Sequence, residues 1–249
     1  MKPLGIGVGS AGLVDAEQGV LKSASNLGWH DVPLKARWEQ RYRLPVYVSN
    51  EASIAALGEH YFGAAAGYDD FIFLGASRRA VGAGIFINGK LYQGMNGYAG
   101  EVGHMVIDPD GAPCPCGQRG CWEAEIRAAC DLRALMEGDL NMLRLHDVVA
   151  AAQRGDALAG EIVARINGVL ALGIANLVTI FNPQLIVLGG SLGKTVETFM
   201  PAIRAIVSER LVVLNEGVAE IVPSAIPTNA CAMGAVASVL DDIFSEPSL

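Results

Sequence analysis

The chain has 249 residues, a formal net charge of −8 and 51% hydrophobic residues, enough for one large domain or two modest ones. An acidic chain without clustered Lys and Arg has no means of holding a nucleic-acid backbone by counterion release, so a small molecule is the expected direct ligand. Five cysteines, three of them within eight positions, do not form a disulfide framework and point to a reducing, cytoplasmic compartment.

In chain order, "LGIGVGSAGLVD" (residues 4–15) reads as a buried strand running into a glycine-rich turn. "LPVYVSN" (Leu44–Asn50) is a second strand, with Val46 and Val48 alternating with Tyr47 and Ser49. Ser49 or Asn50 then caps a helix over Glu51–Phe62, and Gly63 stops it. A new unit opens at "YDDFIFLG". Strands at Phe71–Leu74, Gly84–Asn88 and Leu91–Gln93 form a meander turned by Asn88-Gly89. Helices then dominate to residue 181. The strongest, Gly160–Phe181, places Ile162, Val163, Ile166, Leu170, Ile174, Leu177 and Phe181 on one face and ends at Asn182-Pro183. Its run Val169–Phe181 is the nearest approach to a membrane span. Asn176 interrupts it, and it falls short of the roughly 20 residues a bilayer needs, so no membrane partner is expected. Met1–Leu4 does not open a signal peptide. "LIVLGGS" is a buried strand. Helical sequence at Val196–Leu211 carries Pro201, expected in a first turn. Val218–Val222 is a last strand and "MGAVASVLDDIF" a closing helix.

From Phe71 onward this order is a complete mixed α/β unit. Residues 4–62 read as the second half of a similar unit, without an opening three-strand meander and first helix. The expected architecture is two related lobes with a cleft between them. Residues 1–62 form a partial N-terminal lobe onto which the closing helix 233–249 is placed to pack. Residues 63–232 form the C-terminal lobe.

Within that second lobe, "AGEVGHMVIDPDGAPCPCGQRGCWEAE" (residues 99–125) carries His104-x9-Cys114-x-Cys116-x4-Cys121. Three thiolates and an imidazole suit tetrahedral zinc. Gly111, Pro113, Pro115, Gly117 and Gly120 let the loop 104–121 close round an ion. Four protein ligands leave no open position, so the zinc is structural, and closing such a site contributes on the order of 10 kcal/mol to local folding. Cys130 and Cys231 stand alone and read as core residues. Glu101 and Glu123 flank the knot. On the residues alone they are either carboxylates fixed in a polyol-binding cleft or solvated surface acids.

That segment resembles the signature of the ROK family of bacterial sugar kinases and sugar-responsive repressors. The similarity continues through "GIGVGSAGLVD", "SNLGW", "LPVYVSNEASIAALGEHYFGAA", "GAGIFINGKLYQG", "NLVTIFNPQLIVLGG" and "MGAVASVL". The resemblance implies an α/β, two-lobed, actin-like ATPase fold, ribonuclease-H-like in each lobe, here with a first lobe lacking its opening β-meander. It implies that His104, Cys114, Cys116 and Cys121 bind zinc. It also implies that Asn26, Asn50, Glu51, Glu101, His104 and Glu123 surround a monosaccharide, His104 turning one ring nitrogen to the metal and the other to the sugar.

Three departures bear on activity. The family's kinases have an Asp as general base, taking the proton from the attacking sugar hydroxyl, where this chain has Glu51. Their phosphate-binding Gly-Thr-Gly turn maps to Gly75–Gly84, where Arg78 and Arg79 stand in place of small residues. Gly82, Gly84, Gly189 and Gly190 are then the remnants of an eroded nucleotide site. Their opening Asp-x-Gly-Gly-Thr loop has no counterpart. The sequence looks most like the xylose-repressor-like branch. The expected function is the sugar-binding effector module of a transcriptional regulator, for xylose or a glucose-like sugar, with DNA reached only through an N-terminal reader domain not in this chain. The alternative is an ATP- and Mg-dependent sugar kinase with Glu51 as base. The family also implies a homo-oligomer, dimer or tetramer.

Overall fold

The computed structural model describes residues 2–24, 27–76, 80–130, 145–190, 196–211, 219–226 and 228–245. The expectations placed on Asn26, Arg78 and Arg79 lie outside them.

Strands β1 (Ile6–Ser10) and β5 (Val46–Asn50) pair in parallel, Ile6 opposite Val46 through to Ser10 opposite Asn50. Between them in sequence, β2 (Leu13–Asp15), β3 (Val20–Ala24) and β4 (Trp29–Pro33) form a separate antiparallel sheet, followed by helix α1 (Leu34–Tyr42). Val14, Leu21, Ala24, Leu34, Val46 and Val48 make the core joining these pieces. The sequence reading contains neither β3, β4 nor α1. The first three residues of β4 are exposed, and Leu34 is the buried residue of α1, so neither element has an apolar rhythm.

Helix α2 (Glu51–Phe62) has the bounds that its flanking residues dictate. Asn50 Oδ1 accepts the Ala52 N–H at 2.8 Å, and Gly63 closes the other end. Residues Ala52–Glu59 are all buried because α2 is enclosed between α7 (Ala230–Ser245) and β7 (Val81–Ile87). Glycines permit this approach. A Cβ on Gly84 would sit 2.5 Å from the Ala52 carbonyl oxygen, and one on Gly234 would sit 1.7 Å from that of Ile54. Helix α7 also covers β1, where a Cβ on Gly7 would fall 1.9 Å from the Ala235 oxygen.

The larger sheet has the order β10 (Glu220–Pro223), β9 (Leu185–Gly189), β6 (Phe71–Ala76), β7, β8 (Lys90–Leu91). β9 runs parallel to both β6 and β10, and β6-β7-β8 is the antiparallel meander. The parallel pair β9–β10 thus has a counterpart in β1–β5. Among the described residues the meander has no counterpart in the β1–β5 sheet.

Helices α3 (Trp122–Ala129), α4 (Leu145–Gln153), α5 (Ala157–Phe181) and α6 (Val196–Arg210) pack with this sheet around Ile72, Leu74, Trp122, Ile166, Ile174 and Phe199. Asp156 caps α5 through the Ala159 N–H, and Asn182, at φ 44°, ends it. At 25 residues α5 is, contrary to the sequence expectation, long and apolar enough to cross a membrane. Here its apolar face, including Ile166, Leu170, Ile174 and Leu177, faces this core. The expectation for Pro201 is corrected: α6 begins at Val196, so Pro201 lies in the helix interior and deletes one main-chain hydrogen bond. Burial of Phe199, Met200, Ile203 and Val207 holds the helix across that gap.

Candidate sugar and metal site

The 99–125 segment is folded by its own backbone. Ile107 N–H bonds Gly120 O at 2.8 Å, Gly120 N–H bonds Ala112 O at 2.8 Å, and Cys114 N–H bonds Gln118 O at 2.8 Å. Gly120, at φ 68°, lies so close to the Asp108 carbonyl that a Cβ would be 1.5 Å from its oxygen. These turns gather the ligating atoms of His104, Cys114, Cys116 and Cys121 within 4.8 Å of one another. His104 Nδ1 is 3.8 Å from Cys114 Sγ, and Cys116 Sγ is 3.6 Å from Cys121 Sγ. A tetrahedral zinc with bonds of about 2.3 Å to sulfur sets its ligand atoms about 3.8 Å apart, so the residues fit such an ion.

The thiols are electrostatically unlike. Burial pushes Cys121 up to about 12, while the Gln118 backbone N–H leads the effects that bring exposed Cys116 down to about 7. A cation bound among them would ionise Cys121 outright.

The knot is anchored to the core by Trp122, which the sequence reading did not single out. Its N–H bonds the Met105 carbonyl at 2.8 Å, and its indole Nε1 donates to Val169 O on α5 at 2.9 Å. The ring is fully buried and lies where any side chain at Gly173 would have to go. Trp122 stands between Cys121 and Glu123, so one anchored residue fixes both a candidate metal ligand and an acid.

Glu123 lies in the first turn of α3, where its charge complements the helix N-terminus. Its Oε1 is 3.5 Å from Cys114 Sγ, 4.0 Å from His104 Nδ1 and 3.6 Å from the Arg127 guanidinium one turn on. The Glu-x-x-x-Arg spacing was the available signal for Arg127. Glu125 accepts the Ala112 N–H at 2.5 Å and braces the loop from below.

Glu101 precedes a 3-10 turn at Val102–His104. Its carboxyl is held above the ordinary value, first by burial, with His104 opposing and the charges of Glu123 and Glu51 adding. Glu51, Glu101, His104 and Glu123 are therefore electrostatic neighbours, although they come from α2, the 3-10 turn and α3. Glu51 and His104 are exposed, so the cluster opens to solvent.

Asn50 is beside them, but its side chain is partly committed. Oδ1 caps α2, and Nδ2 donates to Gly12 O at 3.0 Å, leaving one N–H for a ligand. Cys130 is buried as expected. Cys231 is not a core residue: it is half-buried at the start of α7, where burial and the Glu51 charge raise its thiol. Of the glycines assigned to a nucleotide site, Gly84 seats α2 and Gly189 seats the Phe73 ring, 2.5 Å from a notional Cβ. Gly82 faces Ala52 across 3.3 Å, and Gly190 takes φ 83° against the Ala76 carbonyl. Packing accounts for the lack of a side chain at Gly84, Gly189 and Gly190, and Gly82 is only tightly spaced. A groove of about 640 Å³ lined by Tyr47, His60, Tyr61, Lys90 and Asp241 does not include these acids.

The ROK family model matches residues 2–242. The xylose repressor of Bacillus subtilis is 34% identical over 238 residues, covering 96% of this chain and 61% of that protein. A glucokinase of Halalkalibacterium halodurans is 38% identical over 216 residues, 81% of this chain and 65% of that one. The chain thus spans just under two thirds of the length of these curated relatives. Among solved structures, a ROK family glucokinase from Streptomyces griseus in complex with glucose and AMPPNP superposes with a TM-score of 0.79 at 32% identity, covering 94% of this chain and 80% of that one.

Proposed function

The chain belongs to the ROK family, and on that premise we propose that it is the sugar-binding effector module of a ROK-type transcriptional regulator. The observation that carries this reading is that Glu101, close enough to Glu51, His104 and Glu123 to feel their charges, stands beside a His104–cysteine cluster that fits a metal and that Glu123 touches. Carboxylates accept hydrogen bonds from sugar hydroxyls, and an imidazole tied to a metal through Nδ1 presents Nε2 as a donor. Zinc is the proposed metal, held by His104, Cys114, Cys116 and Cys121. It supplies rigidity, because four protein ligands leave it no position for substrate.

Xylose or a glucose-like hexose is the proposed ligand, consistent with the xylose repressor and the glucokinase among the relatives. Binding favours one angle between the lobes, and a coupling of about 1–3 kcal/mol passes to an attached DNA-reading domain. Glu51 in place of the family's catalytic Asp favours this over phosphoryl transfer. Its carboxylate stands one methylene further out, and a base misplaced on that scale loses much of its effect.

The kinase reading is supported by the 38% identical glucokinase. In it, Glu51 takes the proton of the sugar hydroxyl that attacks phosphorus, and ATP with Mg supplies the phosphoryl group. A coupled ATPase assay with glucose and xylose decides between them. We expect saturable sugar binding by calorimetry without sugar-dependent turnover. Turnover of about 1 s⁻¹ or faster, the ordinary kinase range, would overturn the regulator reading.

A further inference from the structure

Helix α2 carries a carboxylate near each end. Glu51 opens it at the acid cluster, and Glu59, about 12 Å further along the axis, is completely buried. Around Glu59, among the described residues, two connections of the chain meet, each joining the α2–α7 helix pair to the five-stranded sheet. The chain leaves α2 for the five-stranded sheet through residues 63–70 and returns from β10 toward α7, the described residues of that return being 224–226 and 228–229.

Glu59 grips both. Its Oε2 accepts the Ala64 N–H at 2.7 Å, and its main-chain carbonyl accepts the N–H groups of Gly63 at 3.0 Å and Ala65 at 3.2 Å. Its Oε1 accepts the Ser224 hydroxyl and the Ile226 N–H, the latter at 3.3 Å. Gly63 is fitted to this carboxylate, since a Cβ there would stand 2.0 Å from Oε2. On the other side, Ser224 N–H bonds Leu188 O at 2.9 Å, pinning the return passage to the end of β9.

Among the described residues no Lys or Arg pairs with Glu59. A buried carboxylate without a counter-ion is tolerated only when aimed donors replace its water. Three donors do so here, one on Oε2 from the outward passage and two on Oε1 from the return passage. They meet the carboxylate together at one relative placement of the passages. Rotating one half against the other stretches the bonds on one oxygen or the other.

We propose that Glu59 is the hinge clamp of the molecule, a positioning residue that links the two chain passages to the helix whose other end carries Glu51 in the sugar cleft. The proposal rests on the sugar-binding reading for its ligand and on geometry for the clamp.

Hydrogen exchange read by mass spectrometry tests it on the full chain as wild type, Glu59→Gln and Ser224→Ala, each with and without glucose or xylose. Glu59→Gln turns an amide NH2 toward one of the N–H groups that the carboxylate accepted. The expected result is exchange about tenfold faster in both 63–70 and 224–229, with 104–121 unchanged. Ser224→Ala touches only Oε1, yet it is expected to quicken 63–70 as well. In the wild type, sugar slows both passages together, and Glu59→Gln loses that response while retaining its metal. If Ser224→Ala loosens its own passage alone, or if 104–121 quickens equally, there is no clamp, whether or not Glu59→Gln folds. Wild-type calorimetry keeps the two ideas apart: no binding of either sugar overturns the sugar reading, and the Ser224→Ala pattern still decides the clamp.

Discussion

Replacing Gly173 with Ala would test how the metal knot is held. A Cβ at this position would lie 2.0 Å from Trp122 Cε2, 2.3 Å from Cζ2 and 2.4 Å from Cδ2. Carbon atoms in contact sit about 3.5–4.0 Å apart, so the indole must move by more than 1 Å. The ring is fully buried and tied to Val169 O, which leaves it no free direction. Overpacking of this kind costs about 3 kcal/mol at the upper end, and Ala regains about 1 kcal/mol over Gly in a helix interior. The net is about 2 kcal/mol of destabilisation, or a fall in Tm of about 4–8 °C at this chain length. Gly168, on the same helix, has nothing within 4 Å of its notional Cβ. Gly168→Ala should therefore stabilise by up to about 1 kcal/mol. Urea midpoints and thermal melts of the two variants give the comparison, with metal content and sugar affinity measured alongside. Because Trp122 joins Cys121 to Glu123, Gly173→Ala should also weaken metal retention and sugar binding, and Gly168→Ala should affect neither. Two variants that are equally stabilised would refute the anchoring role of Trp122.

Glu101→Gln and Glu123→Gln should each weaken monosaccharide binding while metal stays near one equivalent per chain; unchanged calorimetric affinity in both removes them from the site. Metal analysis should find about one zinc, and stripping it with a chelator should quicken hydrogen exchange in 104–121 and reduce sugar affinity together. A folded chain that never held metal ends the zinc assignment. Sugar affinity should also fall on acidification, starting above the usual carboxylate range, because burial and the neighbouring carboxylates raise Glu101. The signs separate binding from stability. The ionised form of Glu101 is the burdened one, so protonation removes an acceptor for sugar while relieving strain in the fold. Zinc with three thiolates and a neutral histidine is a net anion, so loading does not reverse that direction. Affinity that holds down to the ordinary Glu range, or a pH profile that Glu101→Gln leaves unaltered, contradicts this.

What the sequence made legible was local. Asn50 and Gly63 bound α2 because a cap and a stop act over a few residues. The gathering of His104, Cys114, Cys116 and Cys121 was readable because all four fall within one loop whose glycines dictate its turns. The inner strands β6 and β9 were readable from apolar runs buried on both faces, whereas β7 starts at Val81 rather than Gly84, β8 is Lys90–Leu91 rather than Leu91–Gln93, and β10 is Glu220–Pro223 rather than Val218–Val222, the last two being partly exposed edge strands. The rest depended on contacts distant in sequence. Trp122 finds Gly173 on another helix, and Glu59 finds Ser224 and Ile226 across the entire larger sheet. No spacing announces such a pair. Strands β3 and β4 escaped because they lean on β2 and α1 rather than presenting an apolar face of their own. The convergence of Glu51 with Glu101 and Glu123 was reached through family resemblance. Its physical basis, α2 lying against β7 beside the loop, is a tertiary fact.

The packing of α7 on β1 and α2 has a consequence for biosynthesis. β1 is synthesised before the other described strands, yet the helix that covers it, with Gly7 against Ala235 and Gly234 against Ile54, is made only after the five-stranded unit. That unit is continuous in sequence from β6 to β10 and can fold as it emerges. The β1–β5 pair must wait through that interval with an apolar flank uncovered, and its closure is the long-range, slow step of folding. Chaperone dependence and aggregation should therefore concentrate in the interval before α7 is released.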